Sequence, residues 1–455
     1  MTHLLRRFLF YPALLLSGLI LLIPPCWALA KTPPKEEAGS IKELPPTPSL
    51  SLRNCYELAL KYSETVEIQK EEIEKAEAGF LLATSEALGD VDLIMTDLKQ
   101  EAAKKSGSGS SSSSFENSLR AADRREVKFV VNQPLFQGFK SLGALTGAGG
   151  YRKQKKYEWL RAKELLFLDV THAFYQFLQY KNELEIIKQM QKVLTDRFSD
   201  LDNREKIGRS RLSEVATAKA KMKTTDAEFA RLNGAVEIAK SILEFLIATS
   251  FDPSQLDDQE LKELPHDQIK LYLDHLEARS DVRAAKQAMH VARKNLIVAQ
   301  SSLWPVISLE HNRYTRRDGS QSEINWDVLF KIDVPLFRGG GNLGKIKEAI
   351  SNFKNAKRMY ERTKREADLE VKESHQNWIA SVNQFKALTE SVFAAEENYR
   401  LQKDEYTHNL VNNLDVLDAL ELLYQARRDA NRVYYEMKEN YWRLRIASGS
   451  VHELI

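Results

Sequence analysis

The sequence is poor in cysteine, and the little it has is badly placed for a disulfide. Cys26 and Cys55 are the two cysteines in 455 residues. Cys26 lies in a stretch with the marks of an export signal. Residues 1–30 start with Arg6 and Arg7, continue through the apolar run Phe8–Ile23 and end on Ala28-Leu29-Ala30, a small-residue cleavage pattern. Pro12, Pro24 and Pro25 argue against the alternative, an uncleaved anchor helix. Ile23-Pro24-Pro25 is a poor approach to a lipidated Cys26, the other alternative. Cleavage near Ala30 leaves Cys55 alone, which excludes an internal disulfide and leaves packing to hold the fold. After residue 30 no run is long and apolar enough for a membrane helix, so a membrane-spanning form would have to use strands. Excess charge is missing too. The signal carries two basic residues and no acid, so the rest has equal numbers of basic and acidic side chains. Nucleic acid is therefore not expected as a partner.

Constellations that carry catalysis are also missing. No Ser/His/Asp or Cys/His arrangement stands out by spacing. His266, His275, His290, His311, His375 and His408 form no metal-ligand cluster on one helix face. One stretch invites an ATPase reading. "DVPLFRGGGNLGKIKEA" (Asp333–Ala349) has Gly339 and Gly344 spaced as in a phosphate-binding loop, followed by Lys345. However, Ile346 stands where a hydroxyl would hold Mg²⁺. The stretch also recurs earlier as "FVVNQPLFQGFKSLGA" (129–144), with Ala144 in place of the lysine. Neither an enzyme nor a cofactor is expected.

That recurrence is an internal duplication. Phe129/Phe330, Pro134/Pro335, Leu135/Leu336, Phe136/Phe337, Gly138/Gly339, Leu142/Leu343 and Gly143/Gly344 keep one offset, which still holds at Glu214-Val215 and Asp415-Val416. In both copies a proline is expected to stop a strand, a glycine to permit the turn, and a helix to follow. Pro134, Gly138, Pro335 and Gly339 mark these strand-to-helix junctions.

Upstream of each junction the sequence alternates with a period of two. Trp326, Val328, Phe330 and Ile332 oppose Asp327, Leu329 and Lys331, and Val127, Phe129 and Val131 oppose Lys128 and Val130. Four strands are expected, at about 89–98, 125–134, 304–314 and 323–334, forming one hairpin per copy. Downstream, long proline-free runs carry heptad seams. Phe167, Val170, Phe174, Phe177, Leu184, Ile187, Leu194, Phe198 and Leu201 form one; Val371, Trp378, Val382, Phe385, Val392 and Tyr399 form the other. Each long helix turns, at Gly208–Ser213 or Asn409–Leu414, and runs back. Shorter helices are expected over 52–88 and 270–303. The organisation is then a signal (1–30), a Pro-rich disordered lead-in (31–50), a first repeat (51–250), a surface linker (251–268) and a second repeat (269–455).

Four strands cannot close a barrel, which needs about eight. Their apolar faces can meet lipid only if several copies pool their strands. Polar opposite faces favour a water-filled bore and so three copies. Val127, Phe129, Val131, Trp326, Val328, Phe330 and Ile332 would face lipid. The rival from another class is a periplasmic coiled-coil adaptor or envelope scaffold without a pore.

Three segments carry a family resemblance. They are the doubled strand–"PLF.G"–helix junction, "ARSDVRAA" (278–285) with "SSLWPVISLE" (301–310), and "YTHNLVNNLDVLDA" (406–419). Together they resemble the TolC-type outer-membrane efflux proteins over nearly all of the chain after the signal. The resemblance implies a mainly α fold with a small β part: a homotrimer with a twelve-stranded barrel in outer-membrane lipid and a long α-helical barrel in the periplasm. It also implies passive export of small molecules or proteins, energised by an inner-membrane pump through a periplasmic adaptor.

Asp415 and Asp418 lie at i and i+3, on one helix face. From the residues alone they are equally acids at a helix N-terminus, favoured by the dipole. The resemblance places them at the narrow periplasmic entrance, and it pairs Tyr406 with Glu214 in closing that gate. The family's arginine in this network falls on Val411 and its turn glycine on Asn409, so the closing contacts here must differ. Gly208, Arg209, Ser210, Arg211 and Leu212 at one turn, and Leu410, Val411, Asn412, Asn413 and Leu414 at the other, are expected to touch the adaptor.

Overall fold

The computed structural model describes residues 50–99, 123–261, 268–318, 322–408 and 410–449. The export signal, nearly all of the lead-in, most of the first hairpin's loop, His266 and Asn409 lie outside the described residues.

The first repeat begins with α1 (Leu52–Tyr62) and α2 (Glu64–Leu88). The single helix expected over 52–88 is divided because Ser63 turns extended and its hydroxyl accepts from the N–H of Val66 at 3.4 Å, capping α2. Strands β1 (Asp90–Lys99) and β2 (Asp123–Gln137) follow, then the long helix α3 (Lys140–Lys206) and its return α4 (Leu212–Ile247). The second repeat has a short α5 (Lys270–Leu273), α6 (Ser280–Gln300), β3 (Val306–Arg317), β4 (Trp326–Asp333), α7 (Gly341–Thr407) and α8 (Asn413–Ala447). The duplication is plain in the two long helices, 67 residues each, or about 100 Å. It is plain again at Gly138 and Gly339, both with φ of +60°. At Gly138 a Cβ would meet the side chain of Trp304 at 2.6 Å, so any side chain there forces the junction apart.

Two sequence expectations need correction here. Pro134 does not stop β2. The strand runs on to Gln137 through a register shift between Pro134 and Phe136, because a bulge accommodates the missing N–H. The helix expected over 270–303 is broken after Leu273. Arg279 sits at the break, 2 % exposed, and donates to the carbonyl of Ala447 (2.6 Å) and to the carboxylates of Asp281 and Glu370. A guanidinium can be buried there only because it is paired on each side.

The core follows the expected seam on α3. Phe167, Val170, Phe174, Phe177, Ile187, Leu194 and Leu201 are buried. Cys55 joins them, and burial pushes its thiol up to about 12, so it is a packed apolar group. The described start of the segment between the repeats packs onto the fold. Phe251 is buried, Leu256 pairs with Leu50, and the buried Lys438 donates to Asp258. α7 buries far less. Met359, Leu369, Phe393 and Leu401 stand exposed, as do Ile238, Ile242 and Phe245 on α4. Among the described residues no helix is long and apolar enough to cross a membrane.

His172 on α3 contacts both carboxylate oxygens of Glu439 on α8 at 3.1 Å. The hydrogen bond to Glu439 raises the imidazole above its ordinary 6.5. Burial pushes the Glu439 carboxyl up, but His172 and Arg443 outweigh it and hold it below its ordinary 4.5. A raised imidazole stabilises the fold below its unfolded value and ceases to do so as pH rises through the folded one; the lowered carboxyl does the reverse on the acid side. The stability difference between the native chain and His172→Gln should therefore be largest near pH 5–6 and vanish toward pH 9. Thermal unfolding across that range checks this, and a difference that grows with pH would refute it.

Candidate functional site

The sheet has order β1-β2-β3-β4, antiparallel throughout. Cross-strand register sorts its side chains into two faces. On one face Leu93 pairs with Phe129, Val91 with Val131 and Met95 with Val127. The same face continues through the pairs Ile307–Ile332, Leu309–Phe330 and His311–Val328. Val91, Leu93, Met95, Phe129, Trp326, Val328, Phe330 and Ile332 are exposed there, an apolar area no lone chain in water would keep bare. The other face is polar and internally bonded. Asn312 donates to Glu310 (3.0 Å) and Asp327 (2.8 Å), and the Tyr314 hydroxyl donates to Asp327 (2.7 Å). The Arg317 guanidinium lies over the Tyr314 ring at 4.0 Å. β1 and β4 end the sheet without a further strand among the described residues.

The second candidate region is the pair of helix turns remote from the sheet. At α3–α4, Gly208 takes φ +73°. Glu214 there accepts from the Ser210 hydroxyl (2.7 Å) and the Arg211 N–H (3.4 Å). At α7–α8, the Asn412 side chain accepts from the N–H groups of Leu414 and Asp415, and the Asp415 carboxylate accepts from the Asn412 N–H at 3.0 Å. This reciprocal cap satisfies N–H groups that would otherwise be orphaned at the helix start. The capping role open from the sequence is thus the one Asp415 performs. Asp418 is exposed, and Lys221 on α4 donates to it at 2.7 Å and to Glu421 at 2.8 Å. Burial pulls the Lys221 ammonium down, but the two carboxylates outweigh it and raise it above its ordinary value.

Residues 271–450 match the family model "Outer membrane efflux protein". Over that stretch the chain is similar to that family. It is 20 % identical over 345 residues to the outer membrane protein TolC of Vibrio cholerae, covering 73 % of this chain and 78 % of that one. It is 23 % identical over 293 residues to the cation efflux system protein CusC of Escherichia coli, covering 63 % and 64 %. The crystal structure of the outer membrane protein VceC of Vibrio cholerae shares the fold, with a TM-score of 0.77 at 18 % identity over 88 % of this chain and 96 % of that one. The rival of a pore-free scaffold is set aside. The chain is an outer-membrane channel of the efflux and secretion class, with its helices in the periplasm.

Within this family frame the two turns differ from the expectation in three ways. Tyr406 and Glu214 are not brought together. The Tyr406 ring lies under the Arg197 guanidinium at 3.9 Å, while Glu214 serves its own turn. Asn413 leaves the adaptor-facing set because it is 1 % exposed, and its side-chain oxygen accepts from Arg197 at 2.8 Å. The contacts between the two helical hairpins come instead from residues the sequence did not single out: Lys221, Arg197, and Arg428, which pairs with Glu183 and Glu228. A basic residue on a heptad flank carries no local signal of a partner some two hundred positions away. Leu212, Leu410 and Leu414 stand exposed at the turns.

Proposed function

We propose that three copies of this chain close one barrel and form the passive exit duct of a tripartite export system. An inner-membrane pump supplies the energy, and a periplasmic adaptor meets the two helix turns. The observation that carries this reading is the two-faced sheet with unpaired edges. Strand edges cannot stay open in lipid, so β1 of one chain must pair with β4 of the next. Three chains supply twelve strands, enough to leave a bore, and the bonded polar face of Glu310, Asn312, Tyr314 and Asp327 suits water inside it. The exposed stripes on α4 and α7 supply the surfaces by which neighbouring helices pack. Asp418, with Glu421 and Lys221, lines the periplasmic mouth. The exposed Leu212, Leu410 and Leu414, with Gly208, Arg209, Ser210, Arg211, Val411 and Asn412 around them, form the adaptor's seat.

Planar-bilayer recording of the purified mature chain tests the duct. Discrete conductance steps are expected, from a complex that a crosslinker resolves as three chains. A chain that washes off membranes in carbonate and passes no current would end the reading.

A further inference from the structure

Near the loop end of the sheet, the apolar face becomes cationic. Arg313 pairs across the sheet with Phe129 and Trp326, so it lies on the outward face, level with two large aromatics. Arg316 would ordinarily point the other way, three positions along a strand of period two. A register shift between Val127 and Lys128 leaves Thr315 without a strand partner and sets Arg316 opposite Val127. Val127 belongs to the outward face. The bulge therefore turns Arg316 to the same side as Arg313, as bulges at barrel rims commonly re-aim a side chain. The Thr315 hydroxyl holds the bulge by donating to the carbonyl of Val127 at 3.1 Å. Arg125 is two positions further toward the loop on β2, also outward.

These arginines are exposed and lightly neutralised. Arg316 is 3.5 Å from Asp318, and Arg125 is 3.5 Å from Asp97. Arg313 makes no ion pair or hydrogen bond among the described residues. All three lie on β2 and β3, the inner strands of the sheet. Closure through the β1 and β4 edges therefore leaves them facing outward into the membrane and not into a subunit seam. From Ile307 to Arg313 the face runs roughly 20 Å along the strand, so the cluster sits at one border of the apolar band. There, outside the bore and beyond reach of the cargo, the chemistry that matches paired guanidinium groups is the phosphate of a lipid headgroup.

We propose that Arg313 and Arg316, supported by Arg125, clamp the phosphate of an outer-leaflet lipid against the barrel wall, one lipid per chain. This rests on the placement of the sheet in the outer membrane. Arg313 grips from below the headgroup while its aliphatic stem lies along Phe129 and Trp326. Arg316 reaches the same phosphate from the loop side.

Native mass spectrometry of the purified mature assembly in neutral detergent tests it, with bisphosphorylated lipid A, chemically dephosphorylated lipid A and inorganic phosphate as separate probes. Saturable retention of the phosphorylated lipid is expected. The dephosphorylated lipid should bind at least tenfold more weakly, and inorganic phosphate should not displace the lipid. Arg313→Gln with Arg316→Gln should weaken retention at least tenfold. Arg313→Lys should keep part of it, since a lysine meets phosphate as a point charge without the fork. Arg338→Gln, in the junction beyond the opposite end of β4, should change nothing. Equal retention by the double variant, or equal binding of the dephosphorylated lipid, overturns the clamp. Displacement by inorganic phosphate would make it a free-anion site and overturn it too. If the double variant fails to assemble, Arg313→Lys alone decides: undiminished retention of lipid with no preference for phosphate refutes the proposal. Bilayer conductance of the same variants should be unchanged, so loss of the clamp and loss of the duct are separately visible.

Discussion

Phe330→Arg is expected to empty the urea-resistant membrane fraction of this protein. Phe330 lies mid-strand on the outward face, paired with Leu309 and exposed in the single chain. An arginine at the middle of a barrel's lipid face costs about 2–4 kcal/mol, and a symmetric assembly incurs that cost once per chain. The neighbouring Leu329→Arg places the same charge on the opposite face, beside Glu310, where water and a carboxylate can receive it. That variant should insert normally and alter only the current. The contrast between adjacent positions is the informative measurement. Equal loss of membrane-bound protein from both variants would show that the two faces have been assigned wrongly, whereas equal tolerance would show that this sheet never meets lipid.

Lys221→Ala should have the second large effect, at the other end of the molecule. Lys221 ties α4 to α8 by holding Asp418 and Glu421 together. Without it two carboxylates per chain lose their counter-charge, and in the proposed trimer these acids come close at the mouth. Each added unit charge contributes about 1 kcal/mol at 4 Å even in water, so block of single-channel current by a divalent cation should set in at roughly tenfold lower concentration. The tie between the hairpins is lost as well, so the open conductance should rise. Asp418→Ala combined with Glu421→Ala should shift block the opposite way. Asp415→Ala should cost about 0.5–1.5 kcal/mol of stability as one lost hydrogen bond of the capping box while barely changing block, because its carboxylate is turned toward Asn412. Identical block in native and Lys221→Ala channels would remove this cluster from the pore lining.

What the sequence disclosed was whatever repeats or alternates. The strands, the heptad seam from Phe167 to Leu201 and the doubled junction at Gly138 and Gly339 all carry a period, and burial enforces each period locally. The breaks were less legible. Ser63 and Arg279 interrupt expected helices by side-chain bonds, one to a backbone N–H three residues on and the other to Ala447 across the fold. Pro134 read as a stop because the bulge that accommodates it depends on β3, the partner strand. The mouth was the least legible region. Asp415 and Asp418 look alike in sequence, yet one caps its helix and the other pairs with Lys221 on a different hairpin. Only the packing of α4 against α8 separates their roles.

The way the four strands are joined has a consequence for how the ring tolerates change. The β2–β3 seam lies inside each chain, where hydrogen bonds join two repeats that the chain already links covalently, while in the proposed trimer the β1 and β4 margins are satisfied by neighbours. A ring of such chains alternates tethered joints with untethered ones. A unit with a single hairpin would have needed six identical members, every joint the same. Fusing two units frees one kind of joint to specialise while the other keeps the ring together, and it lets the two hairpin tips diverge. Lys221 on one and Asp418 on the other form an unlike pair that an undivided six-fold ring could not have kept apart.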